Sequence, residues 1–80
     1  MTKEEAIKLI LEALKDTEDA MPEWPDDPVY GAAILTEKVG EVMGEAWGVA
    51  TEGFEENSIK MLKAELALTG ALAIRNLIYL

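Results

Sequence analysis

The run "LALTGALAI", residues 66 to 74, constrains this chain more than any other stretch. It follows an amphipathic start carrying Lys60 and Lys63, and apart from Thr69 it is apolar on every side of a helix. A helix apolar all round in a water-soluble protein must be enclosed all round. Eighty residues offer little to enclose it with, because a domain of this size buries only about 60 to 65% of the surface its unfolded chain exposes. Small domains are usually supported by disulfides, a structural metal or oligomerisation. The absence of cysteine and histidine removes disulfides, zinc-finger ligation, thiol nucleophiles and every histidine-based triad or general base. Oligomerisation is left. Half of the residues are apolar, enough for an interface as well as a core. The expected fold is therefore all-α, one domain over residues 1–80, with three helices per chain completed as a homodimeric bundle and the third helix central.

Three helical segments account for the chain, over about residues 2–19, 28–52 and 58–79. The first opens on "TKEE", a capping box in which Thr2 accepts from the amide of Glu5 while the Glu5 side chain reaches back. Ile7, Ile10, Leu11 and Leu14 then recur at helical spacing. "MPEWPDDP" has three prolines and can only be a connection, after which Asp27 is a good N-cap and Pro28 suits the first helical position. In the second helix, Leu35, Val39, Val42, Ala46 and Ala50 form an apolar face, flanked by Glu37, Glu41, Glu45 and Glu52. Gly40, Gly44 and Gly48 lie on a further strip, where glycine costs about 1 kcal/mol against alanine. Three such glycines at four-residue spacing point to close approach of another backbone. Gly53 breaks the pattern, and Asn57 or Ser58 can cap the third helix.

A net charge of −9 argues against a nucleic-acid duplex or an anionic membrane as partner, since both call for basic patches. If this chain handles phosphate, it does so through a divalent cation held by carboxylates. With no basic start leading into an apolar run, and a third helix too interrupted to span a bilayer, a cytoplasmic protein is expected.

Glu65 stands where the dry stretch begins, on the face of Thr69 and Leu72. A buried, unpartnered carboxylate costs several kcal/mol, so a cation, a donor or a metal is expected beside it. One arrangement pairs it with a lysine or tyrosine across the bundle. Another sets it opposite Glu41, since inward-facing carboxylates are how helical bundles hold divalent cations.

"W-x-D-D" before the second helix, "AAILTEKVGEV" on it and "KAELALTGALAIRNL" on the third resemble the MazG-like all-α nucleoside triphosphate pyrophosphohydrolases, especially their short phage and mobile-element members. The resemblance runs from Trp24 to Leu77. The family signature is two adjacent glutamates and a third after two more residues, then a glutamate followed at the third position by aspartate. The resemblance implies a dimeric bundle in which Mg²⁺ on carboxylates helps water split a nucleoside triphosphate into monophosphate and pyrophosphate. Carried over, Glu37, Glu41 and Glu65 match the signature glutamates, and with them the implied catalytic and metal-binding roles. Lys38 stands at the second glutamate and Leu68 at the aspartate. An ammonium about 4 Å from the site opposes a metal by about 4 kcal/mol per unit charge at an effective dielectric near 20. The expectation is that Lys38 takes the place of the metal by pairing with Glu41 or Glu65.

Trp24 and Tyr30 are the candidates for stacking on a nucleobase, with packing at the bundle's ends as the alternative for them and for Trp47. Two functions stay open at this point: an impaired or atypical Mg²⁺-dependent pyrophosphohydrolase, and a non-catalytic homodimeric module for interaction or nucleotide sensing.

Overall fold

The computed structural model describes residues 1–80. The chain is all-helical: α1 (Lys3–Ala20), α2 (Pro28–Glu52) and α3 (Glu56–Ile78). The first start is set by the capping box, with the Thr2 Oγ1 accepting from the Glu5 amide and the Thr2 amide donating to the Glu5 carboxylate, both at 3.1 Å. The second is set by Asp27, whose carboxylate accepts from the Val29 amide at 2.9 Å, with Pro28 at the first helical position. Gly53 ends α2 at φ 105° and ψ 168°, a backbone conformation open essentially to glycine alone. α3 begins two residues before the expected 58, on Glu55 without a side-chain cap bond. Asn57 and Ser58 lie inside its first turn, and Glu56 supplies negative charge at the positive end of the helix dipole.

α3 is central within the chain: α1 and α2 each pack on it, and they do not meet each other. The buried residues follow from this, with Ala67, Ala71, Leu72 and Arg75 on α3, Gly31 and Val49 on α2, and Trp24 in the connection. Small side chains bring the helices close at two points. A Cβ on Gly31 would lie 2.6 Å from the Asn76 Oδ1, and one on Gly70 would lie 3.1 Å from the Ile10 Cδ1. Gly40, Gly44 and Gly48 by contrast have nothing within 4 Å of a Cβ position. The close approach expected of that strip does not occur inside the chain, because α2 touches only α3 and meets it with another face.

That face is Gly31, Leu35, Lys38, Val42, Glu45 and Val49, half-buried or buried, whereas Val39 and Ala50 of the expected apolar face are exposed. The correction is a rotation of about 60°, roughly a sixth of a turn at about 100° per residue. Its physical reason is that the ends of the helix are pinned by Gly31 against Asn76 and by Val49, and this turns Lys38 toward α3.

Candidate functional site

Two polar constellations meet α3. Near its C-terminal end, Arg75 is 2% exposed and has the Trp24 ring over its guanidinium at 4.7 Å. Its Nη1 donates to the Thr17 carbonyl at 2.9 Å. Thr17 lies in the last turn of α1, which has no basic residue of its own, so α3 supplies the cation that the negative end of the α1 dipole favours. At the next residue, the Asn76 Nδ2 donates to the carbonyls of Gly31 at 3.2 Å and Leu72 at 2.9 Å. These contacts tie the end of α1, the proline-rich connection and the start of α2 to one place on α3. Trp24 is thereby a packing residue with one ring face covered by Arg75. Tyr30 and Trp47 stand exposed on α2 instead of filling an end of the chain's own core. Sequence reasoning missed Arg75 and Asn76, although a single arginine after a dry run falls under the same rule that singled out Glu65: a buried charge needs partners.

The second constellation is acidic. Lys38, turned inward, places its Nζ 3.0 Å from the Glu41 Oε2. The ammonium is held above its ordinary value of 10.5 by that hydrogen bond, against a smaller opposing effect of desolvation, and the charges of Glu41, Glu65 and Glu37 add to it. Across the interface, the Glu65 Oε2 is buried without a hydrogen-bond partner. Desolvation first, then the negative charge of Glu41, push the Glu65 carboxyl above 4.5, while Lys38 pulls it down and Glu45 adds repulsion. The structure thus brings Lys38, Glu41 and Glu65 together. Glu37 lies a turn away, exposed to solvent.

As they stand, these groups do not fit a divalent cation. One oxygen of Glu41 is engaged by an ammonium, and no three acidic side chains converge in a way that could hold a metal ion. Leu68, at the place of the family's aspartate, faces the cleft that Leu9 and Ala13 line on α1. Three clefts lie along α1, two of them against α3, and none of the three is lined by Lys38, Glu41 or Glu65.

No family model, curated protein or solved structure matches the chain. No helix is long and apolar enough to cross a membrane.

Proposed function

We propose that this chain is a MazG-like helical module that acts as a homodimer without catalysis, in which Lys38 does the electrostatic work of a divalent cation. The observation that carries this is the 3.0 Å Lys38–Glu41 ion pair beside the buried Oε2 of the half-buried Glu65. A cation supplied by the chain offsets the charge of Glu41 within the acidic cluster without any requirement for metal. The module then serves to bind a partner or to sense a nucleotide.

A second reading, the Mg²⁺-dependent pyrophosphohydrolase, is favoured by one observation: the unpartnered Oε2 of Glu65 near Glu41 is an unused ligand oxygen. It requires the Lys38 ammonium to leave Glu41, whereupon Glu37, Glu41 and Glu65 are the metal-binding and catalytic candidates. Tyr30, exposed at the start of α2, is then better placed than Trp24 to meet a nucleobase.

One experiment separates the two. Pyrophosphate release from a panel of nucleoside triphosphates with Mg²⁺ is measured for wild type, Lys38→Glu and Glu41→Ala, alongside calorimetric titration with Mg²⁺ and Mn²⁺. The non-catalytic proposal expects no release and no saturable metal binding by wild type, with binding gained in Lys38→Glu. Turnover by wild type that disappears in Glu41→Ala overturns it in favour of the enzyme.

A further inference from the structure

The acidic constellation uses the inner face of α2. Its outer face carries Val29, Ala32, Thr36, Val39, Met43, Trp47 and Ala50, all exposed and none charged, with Met43 and Trp47 each 68% exposed. α3 and the two residues after it repeat the device with Ile59, Leu62, Leu66, Thr69, Ala73, Leu77 and Leu80, none buried and none charged, Leu66 being 51% exposed. Each series takes six steps over 21 residues (50 − 29 and 80 − 59), a mean of 3.5. That is the period of a seam between supercoiled helices and not the 3.6 of a solitary one.

The two stripes lie on the same side of the hairpin. Viewed from its own N-terminus, α2 carries its stripe clockwise from the line of contact through Gly31, Lys38 and Val49. α3 runs antiparallel, and its stripe is displaced in the same rotational sense from Glu65, Leu72 and Asn76. Reversing the chain direction mirrors that displacement, and the second stripe falls beside the first. The result is one two-helix apolar face.

The accessible surface is 5772 Å², against about 4,800 Å² for a folded monomer of this mass. The excess, about 1,000 Å², matches the roughly 800 Å² that each partner contributes to a standard interface. The radius of gyration, 13.4 Å, also exceeds the roughly 11.6 Å of a compact chain of this length. From the paired stripes, their period and this area we infer that the α2–α3 face docks the same face of a second copy about a two-fold axis, forming an antiparallel four-helix core with α1 outside it. This specifies the surface behind the dimer proposed above and rests on that part of it. Gly40 and Gly44 border the stripe, where the second copy supplies the close neighbour that this chain lacks. Glu41 and Glu45 lie on the opposite flank of α2, so the face closes without setting these carboxylates against those of the partner.

The test is mass in solution by sedimentation equilibrium at tens of micromolar, with far-UV circular dichroism to follow helix content. Wild type and Met61→Glu, a charge placed off the stripe, are expected as dimers, and Met43→Glu and Leu66→Glu as helical monomers. If the charged variants unfold, single cysteines still decide, because the chain has none. Val39→Cys is expected to form a disulfide-linked dimer on mild oxidation and Lys8→Cys, on α1, is not. A monomeric wild type overturns the proposal, as does a dimer unaffected by both stripe charges or equal cross-linking at the two cysteines. None of these results depends on metal binding or turnover, so the interface and the non-catalytic reading fail separately.

Discussion

Glu65 shows how a single carboxylate is governed by its neighbours. Burial and the charge of Glu41 raise its pKa above 4.5 in the folded chain. Between 4.5 and that raised value the folded state binds more protons than the unfolded state, so stability falls as pH rises through the window and is recovered on acidification. Glu5 works in the opposite sense: hydrogen bonds with the Thr2 backbone and hydroxyl lower its pKa below 4.5, so its contribution is present above 4.5 and lost only at more acidic pH. Urea unfolding near pH 5 and near pH 7.5 is therefore expected to show wild type more stable at the lower pH. Glu65→Gln should be more stable than wild type at the higher pH and should have a flatter profile between the two. A wild-type profile that rises toward neutral pH, unchanged by Glu65→Gln, would contradict this account. That Glu65 needs a partner was legible from its position at the head of an apolar run. What lies beside it was not, since the Lys38–Glu41 pair, three residues apart on α2 itself, is brought next to Glu65 only by the way α2 is turned against α3.

At the scale of the element, α2 carries glycines with opposite consequences. Gly31 sits where α2 crosses Asn76, and a methyl group there would press on an Oδ1 whose amide is already held by two carbonyls. Gly31→Ala is expected to destabilise by about 1 to 3 kcal/mol through overpacking. Gly48 lies off the proposed interface stripe and has open space around it. Gly48→Ala is expected to stabilise by about 0.5 to 1 kcal/mol through helix propensity alone. Chemical denaturation of both variants checks the pair, and loss of stability in Gly48→Ala would place a neighbour there. The helices themselves were readable from the capping box, the Asp-Pro start and the proline cluster, because those signals act within a few residues. The inner face of α2 was not, because two apolar faces compete on one helix and local sequence does not rank them.

For the whole molecule, the apolar surface left uncovered couples folding to association. If folding and dimerisation are one transition, each tenfold rise in protein concentration adds about 1.4 kcal/mol per dimer, an increase in Tm of about 4 °C for a unit of this size. Thermal melts over a hundredfold range of concentration are expected to show that slope, and Leu66→Glu should abolish it. A Tm independent of concentration in wild type would mean that one chain is stable with its stripes in water.

By itself the sequence determined the all-α class, the three helices and the exclusion of thiol and imidazole chemistry, all of which follow from short-range patterns and from residue types present or absent. Only the tertiary structure decided that α1 and α2 stay apart on α3, that Arg75 and Trp24 lock the connection, and that the local Lys38–Glu41 pair lies beside Glu65. The physical reason is that burial is a competition among faces over the whole chain. Which charges from different helices end up side by side is settled only once that competition has fixed each helix's rotation.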